Sequence, residues 1–532
     1  MDEIMSSAPL AGSLTLLDML IVGAAVAGLF VIAFIVGRKE KNLDDFFLGS
    51  RKIPFLVAAL AFVATEVSAV TIVIVPGQGM KNLQYLQFFI GSAAAKVLVA
   101  FLFLPVFFKH NCTSIYQYLR ERFGPASQYA GSLFFFVTRM LGSGVRLTAT
   151  CIAVSIILGW TFWQALLLFT VVSIVFIGVG GVKAVVWTGA YQSIVFYGAG
   201  LAVAIWGLCQ IPGGVGHFWQ TAHDAGRLSV FNFNWDLSAQ TGFWVGMSSA
   251  FFVGLAVFGT DQEMVQRLLT VETRRGSQKA ILATIVAALA IVLLYSLLGT
   301  VMFVFFQQFP QTMADINRFN SGVGANDVFP AFIAVAVPMG LKGLMLSAIL
   351  LASIDSPLSS LSSSFVMDIY RPLMAKNRSQ RHYLWVSRAA IAGFGLVLAG
   401  LATLCRGVDN LLWFAFQIIS VTGGALLGVF LLGILTKYGN NRGNIAAMLI
   451  SSLAMVVMLF LCNYGPVGLQ NFFGLTSMPA PADEPKIIPL AWGWSIVIGT
   501  LLTFALGMIL GGRTRQAPSE ERELVETEAI AK

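Results

Sequence analysis

The sequence predicts an all-α membrane protein of about thirteen transmembrane helices, and three observations carry that expectation. The first is composition: of 532 residues, 57% are hydrophobic and only 11% charged. An average soluble domain carries about 25% charged residues, so too few charges are present to cover a water-soluble surface. The second is a succession of apolar runs, each near the roughly 20 residues that a bilayer span needs. The third is a regular alternation of Lys/Arg-rich and Lys/Arg-poor connections between those runs.

Taken in order, the runs predict a leader helix at 17–37. Core helices 1 to 5 follow at 54–76, 85–108, 130–158, 163–179 and 185–209, and core helices 6 to 10 at 243–268, 280–306, 341–366, 383–404 and 411–435. Two further helices at 445–462 and 490–510 close the chain. The expected organisation is an N-terminus with leader helix and inner loop over 1–53, a first five-helix repeat over 54–210, and an outer loop over 211–241. A second five-helix repeat over 242–437, two additional helices over 438–511 and a polar tail over 512–532 complete it. The segment 309–340 is expected to hold a short interfacial helix. Residues 1–16 are acidic rather than basic, so no cleavable signal peptide is expected.

Lys and Arg set the orientation, because cytoplasmic loops accumulate them. One set of connections carries Arg38, Lys39, Lys41, Arg51, Lys52, Lys109, Arg120, Arg122, Lys183, Arg274, Arg275 and Lys279, among others. The opposite set carries only Lys81, Arg227, Arg318, Arg406 and Lys486. This places the N-terminus outside and the C-terminus in the cytoplasm of a multi-pass cell-membrane protein. The formal net charge of +8 is dispersed over these loops, which argues for the lipid bilayer and against nucleic acid as partner. The cysteines are scattered without a CxxC pair, so neither a disulfide framework nor a metal cluster is expected. No nucleophile–base pair suggests an enzyme, and no obligatory protein partner is inferred.

A few ionisable residues remain at membrane depth: Glu66, Lys96, Arg139, Arg146, Asp261 and Asp355. Such residues are costly in lipid and face a partner or a water-filled pathway. The residues themselves allow either buried ion pairs, for instance Glu66 or Asp355 with Lys96 or an arginine, or an ion and solute route. Core helix 8 is the most polar span: Ser353, Asp355, Ser356, Ser359, Ser360 and Ser363 recur at spacings of three and four and form one stripe. Oxygen ligands suit a hard cation, and Pro357 removes the amide donor of the Ser353 carbonyl. A small-residue packing stripe is the plainer reading, but packing does not call for Asp355. Core helix 1 has a polar, β-branched centre at Ala64–Thr71. This predicts a discontinuous helix whose carbonyls face an ion near the midplane, with core helix 6 (Gly254, Gly259) as its counterpart in a second, inverted repeat.

Several motifs in register resemble the sodium–solute symporter family, relatives of the sodium/glucose and sodium/proline cotransporters. Gly180-Gly-Val-Lys-Ala-Val-Val-Trp-Thr188 is similar to the family's GG-x-KAV-x-WTD, and Gly259-Thr-Asp-Gln-Glu-Met-Val-Gln-Arg267 to its GTDQ-x-x-VQR. Gly340–Ala348 with the serine run and Met367-Asp-Ile-Tyr370 resemble core helix 8, and Gly423–Gly433 resembles core helix 10. The resemblance implies a LeuT-type 5+5 inverted-repeat fold and sodium-coupled symport of a small polar solute by alternating access. It implies a sodium site made by the carbonyls of Ala64, Val67 and Ile349 with positions Ala352 and Ser353, where Ala352 replaces the family's first hydroxyl. It implies a second cation site at Asp355 and Ser356. The aspartate of WTD is Gly189 here, which suggests that a carboxylate has moved from core helix 5 to Asp355.

The family's sugar-pocket positions fall on Thr71, Ile90, Ala93 and Gly254, a mostly apolar set that argues against a hexose. Gly144-Val-Arg-Leu147 resembles the GARL of proline and pantothenate carriers. The expectation is therefore a solute with a carboxylate, held by Arg146 with Glu66, Thr71 and Gln417, against the alternative that Arg146 or Arg139 pairs with Glu66 or Asp261. The sequence leaves proton coupling open, because Glu66 and Asp355 both titrate, and also a solute sensor on the same fold.

Overall fold

The computed structural model describes residues 14–37, 43–319, 324, 326–353, 357–466, 470 and 486–512. Among them every regular element longer than an isolated bridge is a helix. Among the described residues nine helices are long and apolar enough to cross a membrane, and two further spans are bent pairs. Two shorter apolar helices, Phe162–Gly178 and Leu341–Leu351, fall in the segments predicted as core helices 4 and 8.

Core helix 1 is two helices, Phe55–Glu66 and Ala69–Gly79, bent by 62°. The break has a local cause. Val67 (φ −87°, ψ 83°) and Ser68 (φ −83°, ψ 176°) leave the helical region, in the polar, β-branched stretch where the sequence predicted a discontinuity. Core helix 6 repeats the device as Phe243–Gly259 and Gln262–Leu269, bent by 57°. Here Asp261 is extended (φ −97°, ψ 122°) and caps the second half, its carboxylate accepting from the Glu263 amide at 2.8 Å. Such a cap satisfies an amide donor that the interrupted helix would otherwise leave open.

Core helices 4 and 5 meet at Gly181, whose φ of +53° suits glycine and turns the chain between them. Core helix 8 runs as Leu341–Leu351, resumes at Pro357–Ser364 and continues as a wider π-type turn over Phe365–Met374. The intervening Ile354, Asp355 and Ser356 lie outside the described residues. So the proposed second cation site, and the carbonyl of Ser353 facing it, gain no geometry here. The polar tail after Gly512 also lies outside them.

The connections are more helical than the sequence suggested. Tyr116–Phe123 follows core helix 2, and Gly214–Asp224 occupies the expected outer loop. The segment before core helix 8 holds two helices, Pro310–Phe319 and Val328–Val335, where one was expected. The leader helix, Leu16–Gly37, docks on core helices 4, 5 and 8. Its buried Asp18 accepts from the amides of Gly340 and Gly343 at 2.7 and 2.8 Å, at the start of core helix 8. The last two helices, Asn441–Asn463 and Trp494–Gly511, pack on each other and on core helix 10, Leu411–Leu435.

Candidate solute and cation site

The interruption of core helix 1 leaves backbone oxygen without its usual donor. In a continuous helix the amides of Ser68 and Thr71 would bond the carbonyls of Ala64 and Val67. Instead the Thr71 amide bonds the Ser68 carbonyl at 2.9 Å, and no backbone amide among the described residues reaches Ala64 or Val67. A parallel change ends the first half of core helix 8. The Ser353 amide bonds the Leu350 carbonyl at 3.1 Å, so the Ile349 carbonyl receives the Ser353 hydroxyl, at 3.1 Å, in place of an amide. The Ser353 hydroxyl also contacts the Thr150 hydroxyl of core helix 3. Thr150 escaped the sequence reading. Its signal is its spacing, one turn beyond Arg146, to whose carbonyl its hydroxyl donates at 3.1 Å. Ala352 is buried beside Ser353 and offers no side-chain oxygen.

A cavity of about 190 Å³ lies between core helices 1, 2, 3, 6 and 10. Core helix 1 contributes Glu66, Val67, Ser68 and Thr71 to it, core helix 3 Arg139 and Arg146, and core helix 6 Gly254 and Asp261. A second, smaller cavity of about 50 Å³ lies beside Ser353, lined by Ser143, Arg146, Thr170, Ala352, Ser353 and Pro357. Arg146 lines both.

The two arginines of core helix 3 organise this centre. They are seven residues apart, so they share one face about 10 Å apart along the axis. Arg146 reaches the break of core helix 1, its Nη2 donating to the Thr65 carbonyl at 3.3 Å. Arg139 reaches the break of core helix 6, pairing through Nη2 with Asp261 and through Nη1 with Glu263 at 2.6 Å. Glu263, fully buried, was not among the membrane-depth charges recognised in the sequence. Its place within the GTDQE run was the available signal.

The geometry bears on three sequence expectations. Glu66 lines the cavity, but its Oε2 accepts from Lys96 Nζ at 2.7 Å. Lys96 is 1% exposed and stands 4.9 Å over the Phe258 ring. Glu66 therefore satisfies a buried cation, and as a carboxylate it would repel a solute carboxylate. Gln417 is half-buried on core helix 10 and does not line the cavity; Phe416 and Ile419 do. One residue turns a helix by about 100°, which suffices to exchange the two faces. For the same reason Phe89 and Ser92, not Ile90 and Ala93, line it from core helix 2, and Ile90 is 43% exposed. Thr71 and Gly254 line it as expected.

Gly189 has a packing role. A Cβ there would stand 3.1 Å from both Cα and Cβ of Ala61 on core helix 1, so a side chain at this position needs Ala61 to give by a few tenths of an ångström.

Two broken helices lining one central cavity, with carbonyls released beside a hydroxyl, define a secondary transporter of the inverted-repeat class. The sequence pattern of the sodium:solute symporter family (SSF) matches residues 46–451, and the chain belongs to that family. It is 28% identical over 484 residues to the sodium-dependent multivitamin transporter of Oryctolagus cuniculus, covering 89% of this chain and 74% of the relative. It is 27% identical over 443 residues to the sodium-coupled monocarboxylate transporter 1 of Homo sapiens, covering 81% and 70%. Identity to the sodium/sialic acid symporter SiaT of Proteus mirabilis (strain HI4320) is 24% over 477 residues, covering 86% and 94%. Among solved structures, a substrate-bound, outward-open Na+-coupled sialic acid symporter superposes with a TM-score of 0.79 at 23% identity. It covers 94% of this chain and 100% of that one, which supports the LeuT-type fold. The protein is a multi-pass membrane transporter that couples solute movement to sodium, and it is not an enzyme.

Proposed function

We propose that the solute is a small carboxylate, held in the central cavity by Arg146, and that sodium binds beside it at the carbonyls of Ala64, Val67 and Ile349 with the Ser353 hydroxyl. The observation that carries this reading is that Arg146 lines both cavities and touches the break of core helix 1. A guanidinium fork matches a carboxylate in two parallel hydrogen bonds. Sodium and Arg146 repel each other, and an anionic solute between them offsets that repulsion, so each ligand favours the other. Such mutual preference is the thermodynamic core of coupling. Relatives named for monocarboxylates and sialic acid support the same solute class.

In this reading the Lys/Arg-poor face is extracellular and the N-terminus lies outside. The two five-helix repeats, 54–210 and 242–437, rock about the site, with the leader and final helices as a frame. Asp355 and Ser356 form a second cation position, tested by the fall in charge moved per solute in Asp355→Asn.

The deciding experiment is sodium-gradient uptake into proteoliposomes containing the full chain, with Arg146→Lys as the variant. Lysine keeps the charge and loses the fork. Half-saturating carboxylate should rise about tenfold or more, the range expected for one lost charge-assisted hydrogen bond. A neutral sugar outcompeting every carboxylate, or unchanged affinity in Arg146→Lys, overturns the assignment.

A further inference from the structure

The central cavity is lined by two kinds of side chain. Polar groups come from the break of core helix 1 and from core helices 3 and 6, among them Ser68, Thr71, Arg146 and Ser249. Tyr85, Phe88, Phe416 and Trp492 also line it and, with Trp413, form one connected set of ring contacts. All but one of these aromatics come from core helices 2 and 10 or the turn that leads into core helix 2. Trp492 does not: it lies beyond core helix 10 and beyond residues 46–451, the part of the chain that carries the family pattern.

Its placement is built rather than incidental. Trp492 is 9% exposed. Its ring stacks on Phe416 with 17° between planes and 6.3 Å between centroids, and lies 5.8 Å from Trp413. Trp413 in turn meets Phe88 at 5.8 Å. The backbone on both sides of Trp492 is tied to the segment between core helices 5 and 6. The Ala491 amide donates to the Leu237 carbonyl at 2.9 Å, and the Gly493 amide to Gln240 Oε1 at 3.0 Å. The indole is thus held over the cavity by two independent parts of the chain.

We propose that Trp492 is a specificity-determining residue, the aromatic wall that selects carboxylates bearing a flat, apolar tail. This rests on the central cavity's being the solute site. With the carboxylate on Arg146, the tail of a solute that fills the cavity meets the aromatic side chains that line it. A flat ring there gains offset-stacked contact with Phe416 and Trp492 that a short aliphatic acid cannot make. Because the residue lies outside the family-matched segment, members sharing the core can differ in solute by what their closing helices place at this wall.

The test uses the full chain in proteoliposomes, with benzoate and acetate as probes, and reads the ratio of their half-saturating concentrations at fixed sodium. The wild type should favour benzoate. Trp492→Ala should lower that preference about tenfold and leave half-saturating sodium, measured at saturating solute, unchanged, whereas Trp492→Phe should keep most of it. Gln240→Ala, which loosens the tie at Gly493, should shift the ratio in the same direction by less. If Trp492→Ala does not yield folded protein, Trp492→Leu and Gln240→Ala carry the measurement. The inference is overturned by a wild type that favours acetate, or by a ratio that stays within twofold in the variants. It is equally overturned by a loss that scales both probes and sodium together, as a structural role would. If the wild type takes neither carboxylate, the Arg146 reading fails, and the same ratio with benzamide and acetamide decides the role of Trp492 by itself.

Discussion

Lys96 of core helix 2 donates to Glu66 of core helix 1 at 2.7 Å, at the residue where that helix breaks. Lys96 is 1% exposed and Glu66 13%, so each depends on the other for its charge. Removing one partner of a buried pair strands the other, at a cost of about 3–5 kcal/mol, while replacing both with apolar residues is often neutral. Glu66→Gln should therefore lower the thermal midpoint in detergent markedly, and Glu66→Gln with Lys96→Met should recover most of the loss. A single variant as stable as the wild type would show that the pair contributes nothing.

Sodium dependence should follow the hydroxyl at the end of the first half of core helix 8. Ser353→Ala removes an oxygen ligand and should raise half-saturating sodium about tenfold, the scale of one lost hydrogen-bond-strength contact. Thr150→Val removes the hydroxyl that contacts Ser353 and should shift it in the same direction by less. Sodium titrations of uptake check both, and an unchanged titration in Ser353→Ala excludes Ser353 from the site.

A side chain at Gly189 crowds core helix 1 and needs Ala61 to give by a few tenths of an ångström. A Cβ at 3.1 Å from Ala61 is overpacking, which costs about 1–3 kcal/mol. Gly189→Ala should unfold at a lower temperature with normal sodium dependence. Gly189→Asp combined with Asp355→Ser should restore part of the cation coupling lost in Asp355→Asn if the carboxylate has only changed walls, and no restoration separates Gly189 from the cation site. Restored charge movement in that double variant would show that the helix yields.

Topology is open to a cysteine experiment. Cys209, near the end of core helix 5, is exposed, while Cys112, Cys151, Cys405 and Cys462 are buried. Burial also pushes the Cys112 thiol up to about 12, so at pH 8 it is almost wholly protonated and slow to react. A membrane-impermeant maleimide applied to intact cells should label the wild type and not Cys209→Ser. Labelling only after permeabilisation would reverse the assigned orientation.

The apolar runs, the interruptions and the family motifs were legible because each is local. A span announces itself by about 20 apolar residues, and the break of core helix 1 by its polar, β-branched centre at Ala64–Thr71. The serine-rich core helix 8 and Arg146 also stood out, since hydroxyls and charges are rare and costly in lipid. Their partners were not legible in the same way. Glu66 looked as suited to a solute as to an ion pair until Lys96, 30 residues away, proved to be the nearer charge. Phe416 and Gln417 are neighbours in the chain, yet only Phe416 faces the cavity.

The sequence by itself determined an all-helical membrane protein, a broken core helix 1 and a family resemblance that implies sodium coupling, because composition, apolar run length and motif register need no knowledge of neighbours. Only the tertiary structure decided that Arg139 joins Asp261 and Glu263 and that Arg146 reaches Thr65. It alone brought Trp492 onto Phe416 and Gly189 against Ala61. The physical reason is rotational: each residue turns a helix by about 100°, and the phase at which two helices meet is set by packing along their whole length. A contact between residues far apart in the chain depends on that phase at both ends.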